Sequence, residues 1–517
     1  MTIVHLSCGD VRGTLEDQQH VFRGIPYAQA LSGAARWLPP QPRARWSGTF
    51  DARHFGPCGM QFRKPMPPFL SRVHREFLNA IGERPTQTES DDSLLLNIWT
   101  PSIDRNARLP VMVYIHGGGF TIGSANEVYT GERYAAKGIV LVAIQYRLGP
   151  PGFLHGSGLF DGDFCADNRA FLDQLLALQW VQEHIERFGG DPGCVTVFGE
   201  SAGAFSVYPL SVSPMAKGLL HRAIAMGGSI TTCAPAQDYH ALTRELLPKV
   251  GVAVGDRQAL TALEKPQLMR LQDLITRSIY FNRDPQRYGA LGRTRVGAMG
   301  TAVGTPFQPR PLLDTYRDGT PNDIDLMIGT CADDGQLFSM MLPPFRMLSA
   351  RVFMSVLSGL FPQHKTAPAR AFYRRQMVGA DRLRRYDQIN NDAFYRMPTI
   401  RAAEAHAIGH PGRTWLYEIG LQCAIPGLRA IHGIDVALLF GLDSPARRAL
   451  YDDEQTRAVS EQMLDAWTRF ARSGSPQSPD LPWPAYDEVD RATMVFDATT
   501  RVERDWAGQF RPFWATA

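Results

Sequence analysis

Short apolar runs broken by polar residues open the chain. Val11-Arg12-Gly13-Thr14-Leu15 and Val21-Phe22-Arg23-Gly24-Ile25-Pro26-Tyr27 predict two short antiparallel strands, with Pro39-Pro40-Gln41-Pro42 as a stiff surface loop after them. Further on the interruptions vanish. Val111 to Ile115 and Ile139 to Ile144 are apolar throughout, which suits parallel strands covered by helices on both faces. Leu94 to Trp99 predicts another strand, closed by Thr100-Pro101. Phe171 to Phe188 has helical spacing, with Leu172, Leu175, Leu176, Leu178 and Ile185 on one face and Gly189-Gly190-Asp191-Pro192 as its stop. Cys194-Val195-Thr196-Val197, Leu326-Met327-Ile328 and Trp415-Leu416-Tyr417-Glu418-Ile419 add strands. Residues 344–410 read as a mostly helical excursion packed over one end of a sheet. Strands alternating with helices, without a repeat or a linker, predict the α/β class and one domain over residues 1–517.

Composition changes this picture little. Over 517 residues, 44% apolar and 20% charged content is ordinary for a folded chain, and a net charge of +3 is too mild to imply a nucleic-acid partner. Arginine greatly outnumbers lysine, but Arg374-Arg375 and Arg382-Leu383-Arg384-Arg385 lack the interleaved aromatics of a nucleic-acid surface and read as solvated helix faces. The first ten residues show neither a basic segment nor a long apolar one, so no signal peptide is expected, and no run is long enough for a membrane span. The seven cysteines are scattered and form no C-x-x-C pair, which points to a reduced, cytoplasmic protein.

The candidate chemistry centres on Phe198-Gly199-Glu200-Ser201-Ala202-Gly203. A serine between two glycines, at the end of an apolar strand and the start of a helix, has the form of a nucleophile elbow. A serine hydroxyl needs a base, an acid to orient that base, and donors for the oxyanion. His116-Gly117-Gly118-Gly119-Phe120 follows the strand that ends at Ile115, and the N–H groups of Gly118, Gly119 and Ala202 are the expected donors. No Lys-Ser/Thr follows at P-loop spacing, so nucleotide binding is not expected. Of thirteen histidines, His432 in Ile431-His432-Gly433-Ile434-Asp435 fits the base best. His406 and His410 have the spacing of a metal pair but no third ligand, and read as a helix end; no metal or cofactor is expected. The acid lies in Gly329-Thr330-Cys331-Ala332-Asp333-Asp334-Gly335, where spacing leaves Asp333 and Asp334 both open. Pro209 predicts a kink or an early end in the helix after the elbow.

These blocks resemble the type-B carboxylesterase family, which also holds the cholinesterases and the non-catalytic neuroligins. The likeness runs over nearly the whole chain: Phe22 to Ala28, Arg36-Trp37, Asp173-Gln174, Trp180-Val181, Phe188 to Pro192, the elbow, His432 to Asp435, Phe440-Gly441, Trp467, Phe470-Ala471 and Trp483 to Tyr486. The resemblance implies an α/β-hydrolase fold, with a large mostly parallel sheet, flanking helices, and helical insertions over the active-site end. By it Ser201 is the nucleophile, His432 the base, and Gly118, Gly119 and Ala202 the oxyanion hole. The family's D-E-G motif falls on Asp333-Asp334-Gly335 and gives the acid role to Asp334, with aspartate where the family usually has glutamate. Glu200 and Asp435 match a second carboxylate pair with a supporting role. Ser93 stands where the family has the cysteine that would pair with Cys58, and Gly227 where it has a hydroxyl near the acid.

The implied activity is hydrolysis of a small-molecule carboxylic ester through an acyl-enzyme. The same triad serves aryl carbamates or amides, and a neuroligin-like binding protein would lack the serine or the histidine that this chain keeps. Choline esters do not fit, since no tryptophan lies between Trp46 and Trp99 and Leu337 replaces another cage aromatic. The apolar stretch after the acid, with Leu337, Phe338 and Met341, is a candidate pocket wall for aryl or medium acyl groups.

Overall fold

The structure is a computed structural model that describes residues 1–63, 87–126, 128–280, 284–292, 299–319, 322–340, 363–441, 450–451 and 453–515. The strands are β1 Thr2–Leu6, β2 Gly9–Glu16, β3 Gln19–Pro26, β4 Thr49–Asp51, β5 Leu95–Thr100, β6 Leu109–Ile115, β7 Val140–Ile144 and β8 Gly190–Glu200. After these come β9 Arg222–Met226, β10 Cys233–Pro235, β11 Thr301–Val303, β12 Asp325–Cys331, β13 Thr414–Ile419, β14 Ala492–Phe496 and β15 Arg501–Arg504. Among the described residues one large sheet runs β1-β2-β3-β5-β7-β6-β8-β9-β12-β13-β14-β15, with β4 beside β2, and β10 pairs β11 separately. From β7 through β14 neighbouring strands are parallel, and the flanks are antiparallel except for β4, which runs parallel to β2.

The uninterrupted apolar runs have a direct cause. Side chains alternate across a strand, so a strand covered on both faces needs apolar residues at every position. Val111, Val113 and Ile115 of β6 enter one hydrophobic core with Val140, Val142 and Ile144, while Met112 and Tyr114 enter a second with Leu141 and Ala143. The helix Arg169–His184 packs on the first face through Phe171, Leu175 and Leu178. The helix Glu454–Ser473 packs on the second through Met463, Trp467 and Phe470.

Two expectations need correction. The helix after the elbow, Ala202–Val212, continues past Pro209 instead of ending early, and the Ser213 N–H donates to the Pro209 carbonyl at 2.9 Å. An interior proline costs about 3 kcal/mol, but nearly every residue of this helix is buried, so packing holds it together. The Asn322 amide then donates to the carbonyls of Leu210, Ser211 and Ser213 at 3.3, 2.9 and 3.0 Å and closes the final turn. Arg384 is not merely solvated: its side chain stays partly exposed but pairs with the buried Asp333. Arg374 and Arg375 are exposed as expected.

Of the stretch 344–410, the described part is helical: Gln363–Gln376, Arg382–Asn391, the π-turn Asp392–Arg396 and Met397–Gly409. Residues 344–362 lie outside the described residues.

Candidate active site

The carboxyl ends of β6, β8, β9, β12 and β13 lie side by side at one end of the parallel strands, where α/β sheets place their ligands. β8 ends at Glu200, and Ser201 makes the sharp turn into the helix with φ 54° and ψ −119°. Its flanking glycines are required by contact. A Cβ on Gly203 would overlap the Ile115 carbonyl oxygen, and one on Gly199 would come within 2.7 Å of the same atom. The Ser201 N–H donates to the Met226 carbonyl at 3.0 Å, which ties the turn to the end of β9.

β6 leads into His116-Gly117-Gly118-Gly119. Gly118 and Gly119 have φ of 109° and 59°, and a Cβ on Gly118 would overlap the Ile122 carbonyl. Among the described residues the N–H groups of Gly118, Gly119 and Ala202 donate to no protein acceptor, so three oriented donors remain available. Gly117 has no room for a side chain either: a Cβ there would lie 2.6 Å from Glu200 Oε2 and 3.2 Å from Ser201 Cβ. His116 is buried, stacks on Tyr146 with ring centroids 4.5 Å apart, and donates from Nδ1 to the Gly117 carbonyl at 2.8 Å. Burial pushes its pKa down to about 4, so the ring is a neutral structural part of this loop.

His432 lies on the loop between β13 and the helix Ile434–Phe440. Its Nδ1 donates to Asp334 Oδ1 at 2.7 Å, and the other oxygen, Asp334 Oδ2, accepts the Cys331 N–H at 2.8 Å. Nε2 has Glu200 Oε1 at 3.2 Å and no hydrogen bond to a described residue. Gly227 closes the other side of the ring, since a Cβ there would sit 3.1 Å from His432 Cε1 and 3.6 Å from Asp334 Oδ1. Ser201 is bonded to Met226 and His432 packs on Gly227, so the two residues adjoin successive positions of one backbone segment.

Burial alone would lower the His432 pKa. The Glu200 charge, the hydrogen bond and charge of Asp334, and the Asp435 charge outweigh it and hold the group at about 9. Asp435 is fully buried in the first turn of Ile434–Phe440, where its Oδ1 accepts the Val436 N–H at 2.9 Å. Burial, then the Asp334 charge, push its carboxyl well above the usual range. One imidazole therefore sits among three carboxylates.

The two aspartates that spacing left open face different partners. Asp334 meets His432, while Asp333 pairs with Arg384 and Arg429. Arg429, Asp387 and Gln336, which hold this region together, carried no signal in the sequence: none lies in a motif. Leu337 is partly buried on the short helix Gln336–Met340 that follows Asp334, whereas Met341 and the Phe338 side chain lie outside the described residues. His406 and His410 stack at 4.5 Å, with His406 Nδ1 2.7 Å from Thr414 Oγ1, as a helix end would. Among the described residues no group of three metal-ligating side chains is found, and no helix is long and apolar enough to cross a membrane.

The family model described as "Carboxylesterase family" matches residues 1–514. The chain belongs to that family. It is 31% identical over 508 residues to the para-nitrobenzyl esterase of Bacillus subtilis, covering 97% of this chain and 96% of that protein. It is also 31% identical over 519 residues to a phenmedipham hydrolase of Pseudarthrobacter oxydans, covering 98% and 97%. Among solved structures, the Geobacillus stearothermophilus carboxylesterase EST55 superposes with a TM-score of 0.83 at 30% identity, over 99% of this chain and all of that one. The fold is the α/β-hydrolase fold of carboxylesterases, and the enzyme is a carboxylic ester hydrolase.

Proposed function

We propose that this carboxylesterase works through Ser201 as nucleophile, His432 as base and Asp334 as the acid that orients it. The observation that carries the reading is the 2.7 Å contact between Asp334 and His432 beside a serine elbow. Nε2 accepts the Ser201 proton as Oγ attacks the ester carbonyl. The N–H groups of Gly118, Gly119 and Ala202 hold the tetrahedral oxyanion. Protonated His432 then gives its proton to the leaving alcohol, and water repeats the sequence on the acyl-enzyme. Glu200 and Asp435 support the imidazolium that forms in between.

The substrate is a small carboxylic ester, with Leu337 on the wall of an apolar acyl or aryl pocket. The sheet takes strands from residue 2 to residue 504, which supports one catalytic domain, and the helices Gln363–Gln376, Arg382–Asn391 and Met397–Gly409 support a helical insertion in it. All seven cysteines are free, which supports a reducing, cytoplasmic setting.

The test is a panel of p-nitrophenyl esters of graded acyl length, with a p-nitrobenzyl ester and phenmedipham beside them. Pure protein is expected to cleave the esters with a burst of p-nitrophenol, and Ser201→Ala to abolish it. Full activity of Ser201→Ala would refute the assignment.

A further inference from the structure

Asp334 and His432 come from loops about a hundred residues apart, and an aspartate carboxylate stands close to its own backbone. A 2.7 Å contact between them therefore requires the two backbones to be held tightly together. Several contacts do this. The Asp333 N–H donates to the Ala430 carbonyl at 2.9 Å, and Asp333 forms a parallel bridge with Ile431. The Gln336 amide donates to the Gly427 carbonyl at 2.7 Å, and its oxygen accepts the Arg429 N–H at 3.0 Å. Above all, the Arg429 guanidinium donates from Nε to Asp333 Oδ1 at 2.9 Å and from Nη2 to Asp387 Oδ2.

Arg429 precedes His432 by three residues, Asp333 precedes Asp334 by one, and Asp387 lies on the helix Arg382–Asn391. One side chain thus joins the histidine loop, the acid loop and the helical segment beside them. Both carboxylates are nearly inaccessible to water, at 4% for Asp333 and 1% for Asp387. Buried charges of this kind must be paired, which makes the arrangement specific. The planar fork of arginine presents donors along two edges, whereas a lysine ammonium is a point charge.

We propose that Arg429 is a positioning residue for the reaction: by bridging Asp333 and Asp387 it sets the distance between the loop of Asp334 and the loop of His432. Asp333, beside the acid, is the handle by which the acid loop is gripped, and Arg384 grips it from the helix side. The inference rests on the triad assigned above.

The experiment measures p-nitrophenyl acetate hydrolysis against pH for Arg429→Ala, Arg429→Lys and Asp387→Asn, each also combined with Asp334→Glu. For Arg429→Ala, kcat is expected to fall by about 100-fold, the effect of a displacement near 1 Å, with KM within about twofold. The acid limb of kcat/KM moves to lower pH, because a looser Asp334 raises the imidazole pKa less. Arg429→Lys loses nearly as much. Asp334→Glu, one methylene longer, lowers kcat in the parent but restores part of it in Arg429→Ala.

Parental kcat and an unmoved acid limb in Arg429→Ala would overturn the proposal. So would a loss of kcat that leaves the limb in place and is not relieved by Asp334→Glu, the pattern of a merely structural residue. Should Arg429→Ala fail to fold, Asp387→Asn carries the same two readouts in weaker form, since it keeps the Asp333 pair and takes the charge, though not the acceptor oxygen, from the outer anchor. Full activity of Asp334→Asn would instead overturn the triad itself, whatever the Arg429 variants do.

Discussion

Replacing Glu200 with glutamine tests how the site sets the basicity of its histidine. Glu200 Oε1 lies 3.2 Å from His432 Nε2, and the variant removes one charge while keeping the shape of the side chain. On the proposed roles His432 works as base only when neutral, so kcat/KM falls on the acid side as it becomes protonated. The parent pKa is held at about 9, against an ordinary histidine value of 6.5, by Glu200, Asp334 and Asp435 acting against burial. At this separation two unit charges attract by about 1.3 kcal/mol even at the dielectric constant of water, and by about 5 kcal/mol at an effective value near 20. One pKa unit is about 1.4 kcal/mol, so the smaller figure already corresponds to about one unit.

The expected result for Glu200→Gln is an acid limb displaced downward by at least about one pH unit. Its rate deficit should therefore be greatest at high pH, where both enzymes are neutral at His432 and only the parent stabilises the imidazolium that forms. The assay is kcat/KM for p-nitrophenyl acetate from about pH 5 to about pH 10, with buffers overlapped at constant ionic strength. A limb that stays in place, or moves upward, would refute the claim that the Glu200 charge sets the base.

The other expectations are simpler. Asp334→Asn should lower kcat by about 10⁴-fold, as an amide cannot hold the required tautomer, while Asp333→Asn keeps the acid and only loosens its loop, so its cost should not exceed the roughly 100-fold expected of Arg429→Ala; steady-state kinetics of both separate the two roles. Gly118→Ala should lower kcat by 10²-fold or more, as its Cβ meets the Ile122 carbonyl and the N–H must turn away; a parental kcat would remove Gly118 from the oxyanion hole.

The parts of the fold that sequence made legible are those where one cause dominates. β6 and β7 declare themselves because two covered faces demand apolar residues throughout, and the elbow because a tight turn demands glycines on both sides of Ser201. β9, Arg-Ala-Ile-Ala-Met, escapes notice: it is short and alanine-rich, and is a strand only because β8 and β12 flank it. Pro209 misleads about where the helix ends because tertiary burial outweighs a local rule. Asp333 and Asp334 cannot be told apart by spacing, since neighbours on a turn point in different directions and only the folded loop decides which meets His432. Arg429 and Asp387 are legible only in three dimensions, as their pairing joins segments that are 42 residues apart.

Ser201 holds φ 54° with ψ −119°, a conformation that side-chain-bearing residues rarely adopt and glycine takes freely. Such a posture costs on the order of 1–3 kcal/mol. A library of this gene screened for heat resistance alone will keep drifting toward glycine at that position. Thermal selection on this enzyme therefore needs an activity screen beside it, or it will enrich for robust, inert molecules.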